Sequence, residues 1–246
     1  FKESVEKLEE YYNKYNNYDE LVSYKLGFHA EYTTSKEIMQ GISQLAEKYS
    51  APVFMHSSET KSEVEDCVER YGKSPTTLFD ELGLFNYGGG AYHSVWVDDN
   101  DLEIYKKRGV WAVNCKLASG IAPVSKMMDL GINLAIGTDG PASNNALDMF
   151  REMYLIAATQ RINDCDAAST DANAILKAAT IGSAHCMGLD ECDVIDEGKT
   201  ADLIVIDMHR PNMQPINNIT KNIVYSGSKE NVKMTMINGK ILYENG

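Results

Sequence analysis

No stretch of this sequence approaches the roughly 18 consecutive apolar residues that a membrane-spanning helix needs. Its first residues, FKESVEKLEEYY, pattern as an acidic amphipathic helix rather than a signal peptide. Both observations point to a soluble protein. Cysteine is scarce and unpatterned: positions 67, 115, 165, 186 and 192 make an odd count with no C-x-x-C spacing. That argues against a disulfide scaffold and for reduced thiols in a cytosol. Basic residues are in deficit. The 23 Lys and Arg against 36 Asp and Glu leave a net charge of −13, a sign that repels phosphate backbones and anionic lipid and argues against nucleic-acid and membrane partners. A neutral or cationic small molecule fits better. Internal repeats, low-complexity tracts and long linkers are also missing. What is present is a chain of 246 residues, 43% hydrophobic and 24% charged, enough for one large globular domain and a small one.

Apolar strand-like runs alternate with helical patterns, the mark of βα units on a parallel sheet. YKLGFHA (24–30) reads as a strand, and Thr34 with Glu37 reads as a capping box opening a helix that runs to about Tyr49. The rhythm repeats: APVFMH precedes a helix near 62–71, GGAYHSVWV one near 99–108, GVWAVNC one near 121–130, and INLAIGTD one near 145–161. Each strand ends on polar groups with chemistry to offer: His29, His56 with Glu59, His93, Asn114 with Cys115, and Asp139. A strand surfacing into solvent explains any one of these endings. A (β/α)8 barrel, which builds its site from the carboxyl ends of its strands, explains the whole series. After a further helix near 171–187 the pattern changes at EGKTADLIVID to alternating strands, with Asn238-Gly239 as a two-residue hairpin turn. The expected organisation is an α/β barrel over residues 1–190 and the C-terminal part of a small β-sandwich module over 191–246.

The blocks LGFHAEYTTS, VFMHSSETKSEVEDC, AYHSVWVDDNDLEIYKKRGV, LASGIAPVSKMMDLGINLAIGTDGPASNNALDMFREM and DEGKTADLIVID resemble, in order, successive parts of the amidohydrolase superfamily. The branch they are most similar to is the 5-methylthioadenosine/S-adenosylhomocysteine deaminases, with chlorohydrolases and guanine deaminases nearby. The resemblance implies a TIM-type barrel of which strands four to eight are recognisable. It also implies one divalent metal ion, zinc or alternatively iron, bound by histidines of the first and fifth strands and an aspartate of the eighth. His56 matches the fifth-strand ligand and Asp139 the eighth-strand one. Such an ion lowers the pKa of a bound water to about 7.

By the same resemblance Glu59 is the proton shuttle, general acid and base toward a ring nitrogen of the substrate. His93 is a catalytic hydrogen-bond donor rather than a metal ligand, Asp139 also moves protons, and His29 contacts substrate together with Glu59. The implied reaction is deamination of an adenosine-like purine nucleoside with release of ammonia. The alternatives are another aminohydrolase or a chlorohydrolase acting on guanine or a triazine, and a metal-free pseudoenzyme that only binds a nucleoside. A homo-oligomer is compatible, since family members draw on a neighbouring subunit for the substrate's tail. Each residue also has a plainer reading: His29 as a packed loop histidine, and Asp139 as an ordinary Asp-Gly turn. His185, Cys115, Trp96 and the Met127-Met128 pair read as structural, and His209 as a surface residue of the β module.

Two departures stand out. No H-x-H pair occurs among the five histidines, and Cys115 runs directly into Lys116 where the family has an intervening loop. The sequence therefore reads as segments of a longer chain, short of two metal ligands and metal-free in this form. Intact mass spectrometry is expected to give a mass well above 27.3 kDa, with peptides mapping between Cys115 and Lys116. A mass of 27.3 kDa would sink that expectation.

Overall fold

Glu3 near the start and Lys14 in the last turn suit the dipole of helix α1 (Lys2–Tyr15) in this computed structural model, which describes residues 2–115 and 119–244. By packing, the chain divides into two units: Phe1–Asn114 with Asp129–Asn133, and Cys115–Met128 with Leu134–Gly246. No helix among the described residues is long and apolar enough to cross a membrane.

In the first unit the strand expected over 24–30 is short, β1 (Leu26–Gly27). Its ladder nevertheless continues, through Phe28 N to Phe54 O at 3.2 Å and His56 N to His29 O at 2.8 Å. Helix α2 (Lys36–Tyr49) is capped one residue later than the sequence reading expected: the Ser35 hydroxyl accepts from Ile38 N. Thr34 instead ends the 3-10 turn Glu31–Thr33, donating its N–H to Glu31 O. Met39, Ile42, Leu45 and Ala46 recur at helical spacing and are buried.

Strand β2 (Val53–Ser57) alternates buried and half-buried side chains, and α3 (Lys61–Tyr71) follows behind a capping box of Thr60 and Glu63. A short helix that the sequence reading had not separated, α4 (Pro75–Glu81), opens on Ser74 with Pro75 in its first turn. Strand β3 (Gly89–His93) leads to α5 (Asp99–Arg108), and β4 (Trp111–Asn114) follows. Gly89 adopts φ +126°, and a Cβ there would lie 2.0 Å from Val53 O, so no other residue fits where β3 meets β2. Strands β1 to β4 pair in chain order and in parallel. An edge-to-face run of Phe28, Phe79, Phe85 and Tyr105, with centroids 5.5, 6.1 and 6.2 Å apart, fills the core under these helices.

In the second unit α6 (Val124–Leu130) begins and β5 (Asn133–Ile136) continues, followed by α7 (Pro141–Asn144) and α8 (Met149–Asp164). Helix α9 (Ala172–Lys177) runs through a π turn, Ala178–Gly182, into α10 (Ser183–Met187). Just past that turn, Ser183 Oγ accepts from Ile136 N at 3.2 Å and lies 2.9 Å from Ala178 O and 3.1 Å from Ile136 O. The small module is an antiparallel sheet of β6 (Leu203–Ile206), β7 (Val232–Ile237) and β8 (Lys240–Glu244), with α11 (Ile219–Ser226) between the first two. Asn238 and Gly239 both have positive φ, as the expected hairpin turn requires.

Asp101, buried on α5, accepts from Ser74 Oγ at 2.5 Å and from Asp98 N at 3.3 Å. Burial pushes its carboxyl up to about 6, against the pull of the Ser74 hydrogen bond. A raised carboxyl pKa means the folded state holds the proton more tightly. Its contribution is therefore full below about pH 4 and lost as pH rises through about 6. In urea titrations between pH 4 and 7, wild type should lose about 3 kcal/mol relative to Asp101→Asn; parallel curves would refute the assignment.

Candidate active site

Four of the expected site residues gather at the carboxyl ends of the strands of the first unit. The rings of His29 and His56 have centroids 4.7 Å apart, and those of His56 and His93 stack at 5.2 Å. Glu59 Oε2 lies 3.6 Å from His93 Nε2. His56 and Glu59 are half-buried, His29 is exposed and His93 is buried. The Nδ1 atom of His56 sits 2.8 Å from His29 O. A carbonyl only accepts, so Nδ1 carries the proton and Nε2 of the neutral ring presents a lone pair. His29 shares a hydrogen bond with Thr33 Oγ1 at 2.9 Å. The turn bearing Thr33 is anchored by Arg70 of α3, whose guanidinium forks onto buried Glu31 at 3.2 and 2.5 Å. Beside that pair, burial pushes the Cys67 thiol up to about 12, leaving it unreactive.

The backbone around this group is left-handed at three non-glycine residues: Ser58 (φ +53°), His93 (φ +69°) and Ser94 (φ +50°). Backbone hydrogen bonds hold Ser58 and Ser94. Ser94 N donates to Ser57 O, and Val95 N and Trp96 N both donate to Ser58 O, at 3.2, 3.0 and 2.8 Å. Below them Ser57 Oγ meets Thr76 Oγ1 at 3.1 Å, and Thr76 and Ser94 both reach the hydroxyl of fully buried Tyr105, at 3.3 and 3.1 Å. Burial raises the pKa of that phenol, so it remains a hydroxyl able to serve both neighbours. Glu63 supplies the other clamp, accepting from Ser58 N at 2.9 Å, Glu59 N at 2.8 Å and Thr60 N at 3.4 Å. Its carboxyl is raised by burial, with the backbone bonds opposing. The sequence reading missed Glu63 and Arg70; the T-x-x-E spacing of Thr60 and Glu63 was the available signal for the first.

Asp139 belongs to the second unit, just past β5. It too is left-handed, at φ +57°, a conformation Asp tolerates better than most residues. Its Oδ1 accepts from Gly140 N at 2.6 Å. The turn is pinned by buried Asn144, whose amide nitrogen donates to Thr138 O at 2.7 Å and to Glu152 Oε1 at 2.6 Å.

Among the residues read as structural, His185 bonds Asp193 at 2.9 Å, Cys115 is buried and Met127 is fully buried; His209, read as a surface residue, is exposed. Trp96 is 43% exposed. The Cys115-Lys116 junction runs into residues 116–118, which lie outside the described residues.

Residues 1–242 match the model of the amidohydrolase family. The chain is 40% identical to the 5-methylthioadenosine/S-adenosylhomocysteine deaminase of Pyrococcus furiosus, over 98% of this chain and 58% of that protein. It is 37% identical to the 5'-deoxyadenosine deaminase of Methanopyrus kandleri, over 99% of this chain and 58% of that protein. The crystal structure of an adenosine deaminase from Xanthomonas campestris with bound zinc superimposes with a TM-score of 0.94 at 34% identity, covering 99% of this chain and 57% of that one. The chain thus spans a little over half the length of these relatives. With a family match along nearly its whole length and βα units leading into an antiparallel module, this chain belongs to the amidohydrolase family.

Proposed function

We propose that the protein carrying this chain hydrolytically deaminates a purine nucleoside of the adenosine type, with 5-methylthioadenosine and S-adenosylhomocysteine as the substrates to test first. The observation that carries the reading is the Glu59 carboxylate 3.6 Å from His93 Nε2, in a chain whose relatives are named as deaminases of such nucleosides. The reaction exchanges an amine for a carbonyl oxygen: water adds to the amidine carbon, a C–O bond forms, the C–N bond breaks, and ammonia leaves. Glu59 protonates the adjacent ring nitrogen, making that carbon electrophilic, and later recovers the proton. His93 donates a hydrogen bond to the oxygen as negative charge develops on it. Asp139 accepts a proton from the attacking water and passes it toward the departing amine. His29 contacts the substrate. Loss of an amine needs protonation and loss of chloride does not, so Glu59 favours deamination over dehalogenation.

The donor chemistry also fits a divalent metal, zinc by analogy with the zinc-bound relative. His56 has a lone pair on Nε2 with its Nδ1 proton fixed on His29 O, and Asp139 has a second oxygen beyond the one bonded to Gly140. These two residues would hold the ion, which when bound supplies a Lewis acid and an activated water. Two ligands are fewer than the usual three of a catalytic zinc site, so retention by this segment alone is weak.

Ammonia release, followed together with the inosine-type product, tests both parts. Glu59→Gln is expected to lower kcat by about 10² to 10⁴ with metal content unchanged, and near wild-type rates would remove Glu59 from the mechanism. Turnover of a chlorinated triazine without any purine turnover would favour the chlorohydrolase alternative. Extensive chelation is expected to abolish turnover; full activity in a sample shown metal-free by elemental analysis would overturn the metal assignment.

A further inference from the structure

Helix α3 begins with more hydrogen bonds than a helix start needs. In a capping box the side chain at the third position returns to the N–H of the cap residue, here Thr60, and that bond is the longest of the three Glu63 accepts, at 3.4 Å. The two short ones reach further back, Ser58 N to Oε1 at 2.9 Å and Glu59 N to Oε2 at 2.8 Å. Capping therefore explains the weakest contact and leaves the stronger pair over. Glu63 is itself held by its own N–H on Thr60 Oγ1 at 3.1 Å, and only 4% of its surface is exposed. The stronger pair closes on a residue that needs support. Ser58 is left-handed at φ +53°, a conformation disfavoured for a residue with a Cβ, and the next residue in the chain is Glu59.

We infer that Glu63 is a positioning residue for Glu59: by fixing the backbone N–H groups of Ser58 and Glu59 on one buried carboxylate, it sets where the Glu59 side chain stands relative to His93. This rests on the proton-shuttle reading of Glu59 given above. The geometry requires both carboxylate oxygens to accept. Glutamine at position 63 has one accepting oxygen and one NH2 group, so it turns a donor toward at least one backbone N–H and loses one of the two short bonds. A displacement of about 1 Å in a catalytic group costs up to roughly 10²-fold in rate.

The test is a double-mutant cycle in the full-length protein, with ammonia release from 5-methylthioadenosine as the rate. Glu63→Gln is expected to lower kcat by about tenfold to a hundredfold, with KM within about threefold of wild type. Hydrogen exchange at the amides of Ser58, Glu59 and Thr60 should quicken while the later turns of α3 keep their protection. In a Glu59→Gln background the same substitution should cost less than about twofold, because a residue acting through Glu59 has nothing left to position. An equal loss in both backgrounds would show that Glu63 acts elsewhere and overturn the inference, as would unchanged kcat in Glu63→Gln. Should Glu63→Gln not fold, Glu63→Asp, which keeps both oxygens on a shorter stem, is expected to show a smaller kcat loss that again vanishes in the Glu59→Gln background; wild-type kcat in Glu63→Asp would overturn the inference. Wild-type rates in Glu59→Gln itself would instead remove the shuttle reading, a result distinct from a slow Glu59→Gln beside a fast Glu63→Gln.

Discussion

A carboxylate taken out of water must find donors, and at the end of β2 the nearest donors are backbone. Glu63 meets that demand with the N–H groups of Ser58, Glu59 and Thr60. Much of the first unit's site depends on the exchange. Leaving a buried charge without partners costs several kcal/mol, so the turn is held as firmly as the carboxylate is buried. The side chains on either side of that turn inherit its rigidity: His56 as the fourth residue of β2 and Glu59 as the second residue beyond it. The same solution recurs within the second unit, where buried Asn144 spans Thr138 O and Glu152 and so pins the turn carrying Asp139.

Left-handed backbone is where these turns differ from ordinary strand ends. Ser58, His93, Ser94 and Asp139 all carry a Cβ at positive φ, a conformation maintained only when surrounding bonds over-determine it. At Ser94 the determination is visible atom by atom. Its N–H goes to Ser57 O, and its hydroxyl joins the Thr76 and Tyr105 hydroxyls under the sheet. At Ser94 the left-handed backbone is thus supported by a polar layer drawn from α4 and α5, helices that carry none of the candidate site residues. A stiff support suits chemistry in which a proton must move between groups held a few ångströms apart.

The βα rhythm, the helix periods and the Asn238-Gly239 hairpin were legible because they are local. Burial alternation in β2 and the spacing of Met39, Ile42 and Leu45 follow from the geometry of one element at a time. The misreadings were also local in origin. Thr34 and Ser35 are both good caps, and the choice went to Ser35 because Thr34 was already committed to the 3-10 turn after His29. α4 was not separated as an element because its seven residues lack a full amphipathic period.

The strand ends His29, His56, Glu59, His93 and Asp139 could be picked out by residue type and position, since a barrel presents such residues at one end. Their spacing in the chain says nothing of the stacking of His56 on His93, the tautomer that His29 O imposes on His56, or the clamp that Glu63 places on Glu59. Sequence alone determined the order of the elements and which residues end the strands, because propensity, periodicity and turn chemistry act over a few residues. The orientation of those residues was left to folding: it depends on carbonyls and carboxylates brought from other elements, and hydrogen bonds of that kind exist only once burial has removed water as the competing partner.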